Sequence, residues 1–215
     1  MEARLFKVKD LVVKYRKLVA LRINELEVPK GKILIVGPNG SGKTTLIKVL
    51  LGLLRPKKGK VEILGIDPIK NSQELAEKIT YVRDIDELPD NLRLSTLIDI
   101  LSSTFGDYTL KVAEELGLSD HKEKRLGELS RGMRRKASLL VALASTKDLI
   151  IIDEPFSGLD RESRNIVSKL LSMKTSDMII ISHIQPRMMF DHLVVIESAH
   201  VTYNGPFKKL DWYNY

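Results

Sequence analysis

Between Lys32 and Leu54 the chain passes from the apolar run Lys32-Ile33-Leu34-Ile35-Val36 to Leu46, Ile47, Val49, Leu50, Leu53 and Leu54 at helical spacing. Between them lies Gly37-Pro38-Asn39-Gly40-Ser41-Gly42-Lys43-Thr44. Strand, glycine-rich loop and helix in immediate succession commit this part of the chain to an α/β fold, with the loop at the end of a buried strand. The loop matches GxxxxGK[ST], the phosphate-binding P-loop. Its glycines permit turns closed to residues with a Cβ and bring successive N–H groups against phosphate oxygens. Lys43 adds a full positive charge, and Thr44 offers a hydroxyl to Mg²⁺. The following helix points its N-terminus at the phosphates, where its dipole favours an anion. A nucleoside triphosphate is the expected ligand.

The remaining pattern extends that core. Leu5 to Tyr15 and Ala20 to Val28 read as paired strands, with a turn at Pro29-Lys30-Gly31 leading into the P-loop strand. Gly59 to Gly65 reads as a strand, Asn71-Ser72-Gln73-Glu74 as a helix start capped by Asn71, and Lys78 to Val82 as a further strand. From about Arg83 to Ser145 the periodicity turns helical: Leu94 to Phe105, Tyr108 to Leu116 closed by Gly117, and Ser130 to Ala144. Leu149–Ile152, Met178–Ile181 and Leu193–Ile196 are near-continuous apolar runs, as parallel strands covered on both faces read. The expectation is one domain over residues 1–215, a P-loop NTPase core with a mostly parallel sheet. It carries an N-terminal antiparallel β subdomain and a helical subdomain over about 83–145.

Composition excludes several classes. With no cysteine there are no disulfides and no thiolate metal sites, and Met1 to Lys7 lacks a signal peptide's apolar stretch. No apolar run approaches the roughly 18 residues of a membrane span. A cytoplasmic protein is expected, with any membrane role by association. The net charge of +7 comes from 35 basic and 28 acidic residues spread along the chain. With few interleaved aromatics it reads as solvated surface, and no direct nucleic-acid partner is expected.

A second constellation is Ile150-Ile151-Ile152-Asp153-Glu154-Pro155, two carboxylates at the end of a buried strand, where open α/β sheets place ligands. Taken singly, such a pair is surface charge. Downstream of a P-loop, Asp153 is positioned to hold Mg²⁺ and Glu154 to polarise the water attacking the γ-phosphate. Four further features follow one order: Tyr15, Leu129-Ser130-Arg131-Gly132-Met133, Ser157-Gly158-Leu159-Asp160, and His183 after a strand. Each has a plain alternative: Ser130 and Asp160 as helix caps, His183 as a satisfied histidine, Tyr15 as a strand aromatic. Together they make the chain resemble the nucleotide-binding subunits of ABC transporters, over essentially its whole length. LSRGM resembles the signature LSGGQ, and SGLD resembles the D-loop. A P-loop kinase or simple GTPase explains neither.

The resemblance implies ATP hydrolysis with Mg²⁺, and catalytic roles for Glu154, His183 and Lys43. It implies nucleotide contacts from Tyr15, which stacks on adenine, from Gly37, Pro38, Asn39, Gly40, Ser41, Gly42, Lys43, Thr44 and Thr45, and from Ser130 and Gly132 of a second subunit. The implied metal residues are Thr44, Asp153 and Asp84. It further implies an ATP-dependent homodimer or heterodimer with a related ATPase, and a separate transmembrane permease that places the chain peripherally on the inner face of the cell membrane. The stretch Leu126 to Arg135 resembles stand-alone ATPases of exporters. A membrane-free ABC module of DNA repair, translation or cofactor assembly is the alternative. Two departures stand out. Asp84 occupies the place of the family's usual Gln, and Arg131 and Met133 replace a Gly and a Gln of the signature. The acidic run Asp84-Ile85-Asp86-Glu87, within the loop from Arg83 to Asn91, is expected to border the groove for a permease helix.

Overall fold

The computed structural model describes residues 4–84, 88–183 and 186–209. The element order is β1 (Arg4–Tyr15), β2 (Leu18–Pro29), β3 (Lys32–Val36), α1 (Lys43–Leu50), β4 (Lys58–Ile63), α2 (Ser72–Lys78), β5 (Ile79–Val82), α3 (Leu94–Phe105) and α4 (Tyr108–Glu115). There follow α5 (Arg131–Ala144), β6 (Leu149–Asp153), α6 (Arg161–Met173), β7 (Asp177–Ser182), β8 (His192–Glu197) and β9 (His200–Pro206). The chain divides into two compact units: residues 4–79, 177–183 and 189–209, and residues 80–84, 88–176 and 186–188. Among the described residues, no helix is long and apolar enough to cross a membrane.

In the first unit β1 is the centre of an antiparallel sheet of order β2-β1-β4. Phe6 and Val8, then Leu11 and Val13, are buried, because Asp10 at φ 52° inserts a register shift and moves the inward face by one residue. A second sheet has β3 paired in parallel with β7 on one side and β8 on the other, with β9 antiparallel to β8. Ile33 to Val36 and Met178 to Ile181 are fully buried, which is why these strands read as unbroken apolar runs. The register pairs Val36 with Ser182, so Gly37 and His183 leave the sheet at the same edge. The helix α1 ends earlier than the leucine spacing predicts: Gly52 at φ 70° stops it, and Leu53 is left 67% exposed. Asn71 is at the N-terminus of α2 as expected, but its side chain makes no capping bond.

In the second unit β5 and β6 are sheet neighbours, and every residue of β6 is buried, Asp153 included. The helices match the predicted spans closely. α5 buries Ala137, Leu139, Leu140, Ala142, Leu143 and Ala144. Its last carbonyls are met by Lys174 Nζ, which donates to Leu143 O at 3.1 Å and Ser145 O at 2.5 Å. Burial pushes the Lys174 ammonium below its ordinary pKa.

The start of β3 is fastened by carboxylates. Gly31 N–H donates to Asp177 Oδ1 at 2.8 Å and Lys32 N–H to Asp191 Oδ2 at 2.7 Å. Asp177→Ala leaves the Gly31 donor without its carboxylate and is expected to lower stability by about 1 to 2 kcal/mol, read as a shift of the denaturant midpoint at unchanged slope.

Candidate functional site

The P-loop is built by the first unit. α1 starts at Lys43 with Gly42 as its N-cap at φ 112°, and no side chain occupies the cap. The first-turn N–H groups are therefore offered to an anion. Lys43 is only 6% exposed, and its Nζ curls back to donate to Gly37 O at 2.6 Å and Pro38 O at 3.0 Å. These bonds hold the loop as a ring around the ammonium. Gly37 is required by packing: a Cβ there would lie 2.0 Å from the carbonyl oxygen of Ile196. At Gly40, φ 78°, a Cβ would meet nothing within 4 Å, so that part of the loop is open on its outer side. Pro38 and Asn39 are exposed, and Thr44 and Thr45 half-buried. Ser41 is buried, yet its hydroxyl has no hydrogen-bond partner. A buried hydroxyl with no partner among the described residues, in a loop that carries a buried ammonium and leads into an uncapped helix N-terminus, fits a bound polyphosphate. His183 is exposed just past β7, and Tyr15 is 45% exposed at the end of β1.

One support of the loop is absent from the sequence reading. The two-residue turn Ser198-Ala199 joins β8 to β9, with both residues left-handed at φ 47° and 66°. Ala199 N–H donates to Ser41 O at 3.1 Å, and Ala199 O accepts from Arg22 N–H at 2.7 Å. A Gly or Asn would have announced such a turn. Ser-Ala does not.

The second unit carries the carboxylates. Asp153 is 7% exposed at the end of β6, and Glu154 follows it at φ 49°, a left-handed conformation uncommon for a side chain of this kind. Ser157 N–H donates to Glu154 O at 3.1 Å, closing a tight turn. Tyr81 is close by on β5. Burial, with the negative charge of Asp153 added and Arg83 opposing, pushes its phenol up to about 12. Ser130 accepts the Met133 N–H at 3.3 Å as N-cap of α5, and Asp160 accepts the Ser163 N–H at 2.8 Å as N-cap of α6. The plain reading as caps therefore holds for both. The Ser163 N–H, then its hydroxyl at 2.9 Å, keep the Asp160 carboxyl below the usual carboxylate range. Gly132 has only Gly158 O, 3.5 Å from where its Cβ would lie. Among the described residues nothing in the packing forbids a Cβ there. Asp84 is exposed; Ile85, Asp86 and Glu87, the rest of the acidic run, lie outside the described residues.

Among the described residues no three His, Cys, Asp or Glu side chains come together as a metal cage. Mg²⁺ suits this donor set, since it takes one or two protein oxygens and completes its shell with phosphate and water.

The family model for ABC transporters matches residues 21–157, well over half of the chain. This chain belongs to the ABC transporter family. The ABC transporter ATP-binding protein NatA of Bacillus subtilis is 29% identical over 222 residues, covering 97% of this chain and 88% of NatA. A Nod factor export ATP-binding protein of Rhizobium is 31% identical over 184 residues, covering 80% of this chain and 60% of that protein. A solved ATP-binding subunit of an ABC transporter superposes with a TM-score of 0.81 at 23% identity, over 94% of this chain and 90% of that one, and shows the fold. ABC ATP-binding subunits are ATPases of import or export systems that dimerise and work with membrane permeases, and this chain is an ATPase of that kind.

The sequence reading also passed over Arg135, in the signature helix of this ABC ATPase. It is 5% exposed. Its Nη2 donates to Asp153 O at 2.7 Å and Glu154 O at 2.8 Å, and its Nη1 to Arg83 O at 2.6 Å. In a run of arginines and lysine, Arg131 to Lys136, nothing marks which cation is buried.

Two outcomes test this geometry. Lys43→Ala opens the ring and is expected to reduce ATP affinity and turnover to background, read by fluorescent-nucleotide titration and phosphate release; unchanged turnover by a folded variant contradicts the P-loop assignment. The Tyr81 phenol gives a pH test. The unfolded chain releases its proton near pH 10 while the folded protein keeps it to about 12. That stability is therefore fully present below pH 10 and is lost as pH rises through 12. Tyr81→Phe is expected to flatten the decline of the denaturant midpoint across that window relative to the unmodified protein.

Proposed function

We propose that this chain hydrolyses Mg-ATP to drive an exporter, with Lys43 and the P-loop amides on the β- and γ-phosphates and Glu154 orienting the attacking water. The observation that carries the catalytic role of Glu154 is its backbone. A non-glycine residue held left-handed directly after a fully buried strand is a strained position of the kind found where a side chain is aimed for function. Thr44 and Asp153 are residues the family resemblance assigns to Mg²⁺, and the ion would supply positive charge toward the phosphates. Tyr15 is exposed enough to stack on adenine, and His183 leaves β7 at the edge where the P-loop leaves β3.

Ser130 and Gly132 act on the nucleotide of a second ATPase subunit. Glycine costs a helix about 1 kcal/mol relative to alanine, and among the described residues no close contact requires it at position 132; a phosphate approached closely across a dimer would. The partner is a related ATPase or a second copy, with a transmembrane permease as the load, at the cytoplasmic face of the membrane. Export is supported by the Leu126–Arg135 segment and by the relative named for Nod factor export.

Glu154→Gln is expected to retain ATP, lose roughly 10² to 10⁴ in turnover and accumulate as an ATP-dependent dimer in gel filtration. Normal hydrolysis by that variant removes Glu154 from catalysis. For direction, the chain is purified from its native membrane in mild detergent with the permease it retains. ATP-driven substrate accumulation in inside-out vesicles is the expected outcome. Accumulation only in right-side-out vesicles would make the system an importer, and recovery of the chain free of any permease would end the transport reading.

A further inference from the structure

Arg135 is a buried cation whose described partners are carbonyl oxygens. Its guanidinium presents donors in a fixed plane. Nη2 takes the carbonyls of Asp153 and Glu154, the two peptides that flank and follow the left-handed residue. Nη1 takes Arg83 O at 2.6 Å and leans toward Asp84 O at 3.4 Å. The preceding residue, Arg134, binds Leu88 and Asp90. Arg134 Nη2 donates to Leu88 O at 2.6 Å, and Arg134 Nη1 pairs with the Asp90 carboxylate. Two consecutive side chains of α5 thus hold Arg83, Asp84, Leu88 and Asp90 between them, and one of the two also holds the end of β6. Their helix is the one capped by Ser130, five residues earlier and roughly 7.5 Å along the axis.

Strain makes this brace more than packing. A left-handed glutamate is strained and persists only where neighbouring groups over-determine it. Glu154 O already accepts from Ser157 N–H, which closes the turn after the left-handed residue. The two bonds from Nη2 hold the peptide on each side of Glu154. Burying a guanidinium is itself expensive, and the bonds from Nη1 and Nη2 to backbone carbonyls offset part of that expense.

We propose that Arg135 is the positioning residue of hydrolysis in this chain: it locks the backbone of Glu154 in its left-handed setting and couples that setting to α5 and to the Arg83–Asp84 segment. Its role is to act through the backbone it binds. A displacement of α5 moves the guanidinium, and the guanidinium moves the Glu154 peptide. This rests on Glu154 orienting the attacking water.

The test compares purified Arg135→Gln and Arg135→Lys with the unmodified chain and with Glu154→Gln, measuring kcat, KM, fluorescent ATP affinity, thermal midpoint and amide exchange at Ser157. A shift of about 1 Å in a reacting group is worth roughly 10²-fold in rate. Arg135→Gln is therefore expected to lose 10- to 100-fold in kcat, with KM and ATP affinity within about twofold and faster exchange at Ser157. Arg135→Lys, which keeps one ammonium but cannot span both carbonyl sets, should fall between. Turnover like the unmodified chain's in folded Arg135→Gln, beside inactive Glu154→Gln, overturns the proposal while leaving Glu154 in place. Equal loss of kcat and affinity, or collapse of the thermal midpoint in both Arg135 variants, assigns Arg135 to the fold alone and overturns it too. An active Glu154→Gln removes its premise, and the two failures are told apart by which variant retains turnover.

Discussion

Parallel hydrogen bonding of β3 on both sides, to β7 and to β8, is the constraint on which the first unit depends. Because both partners run in the same direction as β3, their ends emerge at one edge: Gly37 after Val36, His183 after Ser182, and Ile196 just beyond Val195. The Ile196 carbonyl is so close to Gly37 that no side chain fits between them. The next turn of chain, Ser198-Ala199, then reaches the loop and bonds it at Ser41. A phosphate-binding loop in this setting is held by the sheet beneath it and by a hairpin beside it. Its amides are fixed before any ligand arrives, so little ordering entropy remains to be lost on binding.

Two buried cations show a shared physical solution. Lys43 and Arg135 are each nearly excluded from solvent, and each donates to main-chain carbonyls within its own unit. Burying a charge without hydrogen bonds would cost several kcal/mol. Turning it toward carbonyl oxygens lowers that cost and makes the side chain a backbone staple. For Lys43 the stapled backbone is the anion-binding loop. For Arg135 it is the strand end carrying Asp153 and Glu154 together with the segment after β5. In both places the charge fixes the path of chain segments that carry no regular hydrogen-bond ladder of their own.

The left-handed backbone of Glu154 belongs with this arrangement. Local rules alone would disfavour it, since nothing about glutamate stabilises a positive φ. It is a place where local preference and the fold disagree, and such disagreements concentrate where a side chain must be aimed. Ser130 and Asp160 show the opposite case. Their capping bonds agree with local preference.

What the sequence by itself determined is the set of features written in local periodicity and residue type. β3, β6, β7 and β8 are unbroken apolar runs, α3 and α5 are amphipathic, and the P-loop glycines and lysine cannot be mistaken for a plain turn; the spacing of Asp153-Glu154, LSRGM, SGLD and His183 identified the family. Only the tertiary structure decided where α1 stops, because Gly52 outweighs the leucine spacing that continues past it. It also decided that β9 folds back through a Ser-Ala turn to brace the P-loop, and that Arg135, out of a run of similar cations, is the buried one. The reason is physical. Periodicity and turn chemistry act over a few neighbouring residues, whereas the burial of a charge and the strain at Glu154 are set by carbonyls brought in from β6 and from the segment after β5, which are distant in sequence and adjacent only once the chain has folded.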